Sequence, residues 1–194
     1  MEYKFDFYWG TEPTELVVNS SVILKSHFNV LDLGCGEGRN SFFIKEKVSK
    51  LTAVDISSDA LSKLIEYSID KKLDIETFES DALEFMKKSD NYDSIYCINL
   101  LQKLNKSKIF NLINLIKEKT NNGGFNIIHS FYTESDIKKQ TAISKNQYLF
   151  DKEELKSFYN DWKIIHYKEF KGKLETHNEK VHRHFNVELI AQKI

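Results

Sequence analysis

Apolar and polar positions along the chain follow two periods in turn. Residues 29–33, 51–54, 92–98 and 125–131 are short apolar runs of strand length. Residues 73–79 alternate weakly and read as a further strand. Between these runs the apolar residues recur at helical spacing. Leu61, Leu64, Ile65 and Ser68 share one face, as do Ile109, Leu112, Ile113 and Ile116. Shorter helices are expected over 40–47 and 82–88, and Thr11 with Pro13 marks a helix running to about Lys25. Ser107 is expected to open the second amphipathic helix, and Asn121-Asn122-Gly123-Gly124 to end it. Asp151 with Glu154 resembles a capping box, ahead of a helix carrying Leu155, Phe158, Tyr159 and Trp162. Strands at 162–170 and 185–190 follow, joined by a loop and therefore expected to pair antiparallel. Five alternations of strand and helix predict a parallel sheet with right-handed crossovers.

The most informative stretch is Val30 to Ser41, VLDLGCGEGRNS. A strand runs through Asp32 into Gly34, Gly36 and Gly38, and a helix follows. Glycine lets the backbone turn tightly and approach a ligand. The helix start beyond supplies unpaired N–H groups. With the Asp32 carboxylate at the mouth of the turn, the pattern favours a ligand bearing both a carboxylate and an ammonium group. A dinucleotide site wants G-x-G-x-x-G, and here Arg39 stands where the third glycine should be. A phosphate P-loop needs G-K-[ST], which is absent. The bland reading is a plain tight turn. Seventeen residues past Gly38, Asp55 ends the second strand, where an acid accepts the two ribose hydroxyls of an adenosine; Ile56 would lie against the adenine. The alternative for Asp55 is a helix cap, a role that Ser57 or Ser58 also suits.

Composition narrows the setting. The chain has 194 residues, 41% of them hydrophobic, enough for one domain with a sizeable core. A net charge of −1 gives no basic excess for nucleic acid or an anionic membrane. No apolar run approaches the ~20 residues that span a bilayer, and MEYKFDFYWG does not read as a signal peptide. Cys35 and Cys97 read as two free thiols, so a cytoplasmic protein, monomer or homodimer, is expected. The aromatic arm at 1–10 either packs on the core or folds over the ligand through Tyr8 and Trp9. Residues 131–147 read either as a surface loop or as part of a second-ligand pocket. The tail GKLETHNEKVHRH puts His182 and His184 on one strand face and Arg183 on the other. A metal held there with Glu175 or His177 matches no familiar zinc spacing, so no metal is expected. A solvated hairpin tip and a binding surface both remain open for it.

D-x-G-x-G-x-G after a strand resembles motif I of the class I S-adenosylmethionine-dependent methyltransferases. YWG near the start, YLFDKEELKSFYNDWKIIHYKE and the final HFNVELIAQK extend the likeness over nearly the whole chain, closest to the tellurite-resistance methyltransferase (TehB-like) family. The resemblance implies a Rossmann-like α/β fold with a seven-stranded, mostly parallel sheet in the order 3-2-1-4-5-7-6, the last strand antiparallel. It implies one domain over 1–194: an arm and helix at 1–28, a cofactor-binding half at 29–131 and an acceptor-side half at 132–194. It implies S-adenosyl-L-methionine as cofactor, with S-adenosyl-L-homocysteine as product. Asp32 would face the methionine end over Gly34, Cys35 and Gly36, Asp81 would hold the adenine amino group, and the Ala82 N–H would meet a ring nitrogen. Arg39, Asn40 and Asn99 belong to the same implied site. Asp81 equally suits a helix N-cap.

Arg183 or His184 would stand near the acceptor, while Glu175 occupies the place of an expected family histidine. The element that grips a flipped base in the DNA N-methyltransferases is absent after Asn99, so the acceptor is expected to be a small polar or anionic molecule. A tellurite- or selenite-type oxyanion and a thiol are the candidates, and methyl transfer to them would go by direct displacement. His184 or His182 would serve as base for an oxygen or nitrogen acceptor, and Arg183 would orient an anion. Two other readings stay open: a small-molecule O- or N-methyltransferase of unrelated metabolism, and a cofactor-binding module without catalysis.

Overall fold

A computed structural model describes residues 5–133, 148–177 and 180–194, with 173–177 and 180–182 described as backbone only. The 131–147 stretch of the sequence reading therefore lies largely outside the described residues. Seven strands form one sheet: β1 (Asn29–Leu33), β2 (Lys50–Asp55), β3 (Glu76–Glu79), β4 (Tyr92–Ile98), β5 (Thr120–Phe131), β6 (Lys163–His177) and β7 (Lys180–Gln192). Their order is β3-β2-β1-β4-β5-β7-β6. The first five run parallel, and β7 lies antiparallel between β5 and β6. This is the expected doubly wound arrangement.

The helices are α1 (Glu15–Ser20), α2 (Arg39–Lys45), α3 (Ser58–Lys71), α4 (Ala82–Lys88), α5 (Lys106–Glu118) and α6 (Glu154–Ser157). Strand alternation sends Val30, Leu51 and Ala53 to one face and Leu31, Leu33 and Val54 to the other. The first face packs against α1, α2 and α3 through Leu16, Val17, Ile44, Phe42, Leu61 and Leu64. The second packs against α4 and α5 through Leu83, Met86, Ile109, Leu112, Ile113 and Ile116. Among the described residues no helix is long and apolar enough to cross a membrane.

Several boundaries differ from the sequence reading. Helix α5 opens at Lys106, because the Asn105 side chain accepts from the Lys108 N–H at 3.0 Å, and Ser107 merely donates to Asn105. Asn121 to Gly124 lies inside β5 rather than ending α5. There the Gly123 N–H donates to the Lys193 carbonyl and the Lys193 N–H to the Gly124 carbonyl, both at 2.9 Å. Sheet hydrogen bonds to the last strand outweigh the local stop signal. Helix α1 begins after Thr14 and gives way at Ser21 to a single 3-10 turn. Helix α6 lasts one turn, although Leu155, Tyr159 and Trp162 are all buried as their spacing suggested. The tail read as a loop is mostly paired: Leu174 faces Arg183 and His177 faces Lys180 in a long β6–β7 hairpin.

Gly38 shows why the third glycine comes early. Its φ is +93°, and a Cβ there would sit 2.7 Å from the Phe42 ring and 2.8 Å from Leu64. The residue lets α2 pack on α3. Gly38→Ala is expected to cost about 2 kcal/mol through backbone strain and overpacking, read as a lower thermal midpoint.

Candidate functional site

The carboxyl ends of β1, β2, β4 and β5 open into a cleft of about 550 Å³, the usual ligand position in an open α/β sheet. A second cavity of about 210 Å³ adjoins it. Gly34, Asp55 and Lys103 line both.

The glycine turn forms the partition between them. The Gly34 and Cys35 N–H groups donate to the Val54 carbonyl at 2.7 and 3.0 Å, which ties the turn to β2. Gly34, Gly36 and Gly38 all have positive φ. Beneath Gly34 lies Leu100, 3.0 Å from where a Cβ would stand, whereas the space at Gly36 is open. Asp55 braces the turn: one carboxylate oxygen accepts from the Gly36 N–H at 2.8 Å and the other from the Ser57 N–H at 3.0 Å. The cap of α3 is Ser57, whose hydroxyl accepts from the Ala60 N–H. Asp55 is therefore not the helix cap. Two accepted bonds leave a carboxylate further lone pairs for a ligand.

Asp32 does not lie at the mouth of the turn. It shares the Val30 face of β1, 1% exposed, under α2. Ser41 on that helix donates to it at 2.6 Å. Burial raises its carboxyl to about 6, against the lowering effect of the Ser41 bond, with the charge on Asp55 adding to the rise. A buried carboxylate whose hydrogen-bond partner is a hydroxyl rather than a cation fits a ligand that brings positive charge to the turn.

The remaining expected residues fall in two groups. Ile56, Asp81 and Ala82 line the smaller cavity with Ser80 and Leu83. Asp81 also caps α4, accepting from the Leu83 and Glu84 N–H groups, so the cap role holds. Cys35, Arg39, Asn40, Asn99, Trp9 and His184 line the larger cleft. Burial pushes the Cys35 thiol up, as do the Asp32 and Asp55 charges. Arg39 donates from Nε to the Glu12 carbonyl at 2.9 Å, and burial pulls its guanidinium down. The Asn40 side-chain oxygen accepts from the Thr14 N–H at 3.0 Å, joining the start of α1 to α2.

The arm packs on the core through Phe7, against Phe42 and Tyr67, and brings Trp9, 61% exposed, to the cleft. Tyr8 departs from the expectation. Its ring is 73% exposed and is not among the cleft-lining residues, and its N–H donates to Glu37 at 2.7 Å. Glu37 also pairs with Lys63 at 2.6 Å. Arg183 is exposed and is likewise not among the cleft-lining residues, as strand alternation beside His184 requires. The His182, Glu175 and His177 side chains lie outside the described residues.

Sequence reasoning passed over Gln102, Lys103, His129, Leu149 and Asn186, which also line the cleft, as does Phe131 at the start of the stretch read as a loop or pocket. His129 and Phe131 end the fifth strand on the ligand side, a positional signal that was available. Phe131 stacks flat on His184, ring centroids 4.3 Å apart and planes 7° from parallel. That pairing joins β5 to β7 and has no local signature.

A family model described as Tellurite resistance protein TehB matches residues 2–187. A Haemophilus influenzae protein named as a probable S-adenosyl-L-methionine-dependent methyltransferase TehB is 32% identical over 167 residues, 86% of this chain and 57% of that protein. This chain thus spans little more than half the length of that relative. The crystal structure of TehB from Haemophilus influenzae has a TM-score of 0.85 at 29% identity, covering 96% of this chain and 64% of that one. The N-methyltransferase NodS from Bradyrhizobium japonicum has a TM-score of 0.66 at 14% identity, covering 92% and 90%, a likeness of fold alone.

Proposed function

The chain belongs to the TehB family of tellurite resistance proteins, and from that premise we propose that it transfers a methyl group from S-adenosyl-L-methionine to a small polar or anionic acceptor. The observation that carries the proposal is the pair of adjoining cavities divided by the glycine turn and Asp55. The smaller, lined by Ile56, Asp81 and Ala82, suits an adenine. Asp55 between them suits the ribose hydroxyls. Asp32 beneath the turn suits the ammonium group, held directly or through a water.

When bound, the cofactor supplies an electrophilic methyl group on a positively charged sulfur. The chain's own task is to hold the acceptor in line with that group and keep water away. Alignment of this kind is worth up to ~7–11 kcal/mol. Trp9 and the Phe131–His184 stack give the larger cleft apolar walls beside its polar groups. A thiolate or soft chalcogen acceptor attacks without a base. For an oxygen or nitrogen acceptor His184 is the base candidate, since imidazole titrates near neutral pH, with His182 as a second. Arg183, exposed and turned away from the cleft, is not placed to orient the acceptor.

The test is S-adenosyl-L-homocysteine formation from S-adenosyl-L-methionine with tellurite, selenite and small thiols as acceptors. Turnover with none of these, while the homocysteine product still binds, would favour a binding module. His184→Ala is expected to lower kcat/KM roughly 10–100-fold, with S-adenosyl-L-homocysteine affinity kept. Unchanged kcat/KM in His184→Ala would make the hairpin structural.

A further inference from the structure

His129 lines the larger cleft with its ring fixed by a side-chain hydrogen bond. It sits on β5 opposite Ile98 of β4. Its Nδ1 lies 2.6 Å from the side-chain oxygen of Asn99. That oxygen also accepts from Gln102 Nε2 at 3.3 Å, and Gln102 accepts in turn from the buried Ser130 hydroxyl at 3.3 Å. An oxygen already facing an amide donor acts as acceptor toward the ring as well, so Nδ1 carries the hydrogen and Nε2 the lone pair. Asn99 itself has φ +59°, a conformation asparagine tolerates better than most residues. A sparsely populated backbone state at a cleft residue is a frequent mark of function.

Asn186 of β7 faces the same ring and favours its protonated form, as a carbonyl acceptor does. The Asn186 amide nitrogen is turned away, donating to the His184 carbonyl at 3.4 Å. Burial nevertheless holds the imidazole down at about 4, so the ring is neutral at physiological pH. With Nδ1 taken by Asn99, the neutral ring keeps its Nε2 lone pair as its remaining hydrogen-bonding position. His129 and Asn186 line the cleft side by side, so a ligand there that brings a hydrogen of its own satisfies that lone pair.

We propose that His129 and Asn186 form the floor of the acceptor subsite and bind the acceptor through its own X–H hydrogen, an oxyacid hydroxyl or a thiol, donated to Nε2 and shared with the Asn186 oxygen. His129 is an acceptor-binding residue here, and Asn99 and Gln102 are positioning residues that fix its tautomer. The hydrogen bond orients the lone pair of the acceptor atom; as the methyl group moves to a thiol sulfur, the S–H proton passes to Nε2 and on to solvent, whereas an oxyacid attacked through its central atom keeps its hydroxyl hydrogen. This assignment rests on the methyltransferase reading of the same cleft.

Two measurements test it. The first is steady-state turnover with 2-mercaptoethanol and with selenite, alongside calorimetry with S-adenosyl-L-homocysteine. His129→Ala is expected to raise the acceptor KM at least tenfold and to keep the homocysteine Kd within threefold. His129→Gln, whose amide reaches the position of Nε2, is expected to recover most of the loss. An unchanged acceptor KM in His129→Ala overturns the proposal.

The second measurement needs no turnover. Nitrogen NMR of 15N-histidine-labelled protein in the homocysteine complex is expected to show the Nδ1–H tautomer at residue 129. The Nε2 resonance is expected to move when 2-mercaptoethanol is added, and Asn99→Ala to mix the tautomers. An Nε2–H tautomer, or an Nε2 resonance indifferent to the thiol, overturns the proposal even if His129→Ala folds poorly. Failure of the wild-type protein to bind the homocysteine product would instead remove the methyltransferase reading, and this one with it.

Discussion

Asp55→Ala is expected to weaken S-adenosyl-L-homocysteine binding at least ~100-fold, about 2.7 kcal/mol or more. Two losses combine. The carboxylate suited to the ribose hydroxyls goes, and so does the acceptor for the Gly36 N–H at 2.8 Å. The turn would then keep its link to Val54 through Gly34 and Cys35 but lose its brace on the side facing the ligand. Asp55→Asn separates the contributions. A carboxamide oxygen still accepts from Gly36, while the second oxygen becomes a donor that opposes the Ser57 N–H. Its affinity should fall between wild type and Asp55→Ala. Micromolar binding in the wild type corresponds to about −8 kcal/mol, so calorimetry resolves all three. Equal affinity in wild type and Asp55→Ala would place the ribose elsewhere.

Asp32→Asn is expected to move stability and ligand binding in opposite directions. In the fold the Asp32 carboxyl sits near 6 against an ordinary 3.8, chiefly because it is buried. A raised carboxyl means that the folded chain holds its proton more tightly than the unfolded chain does. Stability from this group is therefore full below the unfolded value of 3.8 and is lost as pH rises through about 6. Above that the buried charge costs about 3 kcal/mol. Asparagine removes the charge and can still accept from Ser41. Thermal melts at pH 8 should rise by several degrees, at ~2–4 °C per kcal/mol for a chain of this length, and the gain should vanish near pH 4. At pH 8 the same variant should bind S-adenosyl-L-methionine at least ~30-fold more weakly, if the lost charge is the one proposed above to face the ammonium group. A variant both stabler and equally tight would leave the buried charge without a role.

A cost in stability kept at one buried position is the pattern expected where function and packing compete. The sequence placed Asp32 at the mouth of the turn, and the structure buries it under α2. The strand period assigns it to the Val30 face, but only α2 lying across that face covers it and brings Ser41 within 2.6 Å. The same distinction holds for the hairpin. Its histidines stood out by composition, but the pairing of Leu174 with Arg183 across β6 and β7 decides that Arg183 turns away while His184 meets Phe131.

What the sequence by itself determined is whatever depends on neighbours within a few residues. The period of apolar positions set most strands and the amphipathic helices. The glycine spacing set a turn at which all three glycines take positive φ. The acid at the end of the second strand fell where β1–β2 pairing brings it to Gly36, because parallel strands of that register admit little else. Tertiary structure decided the remainder. Asn121 to Gly124 became strand because Lys193, some seventy residues on, offers ladder hydrogen bonds that a local stop signal cannot match. The larger cleft gathers Trp9, Asn99, Gln102, His129, His184 and Asn186 from four separate stretches. No local period encodes that meeting, since the energy that fixes it is burial and pairing across the sheet.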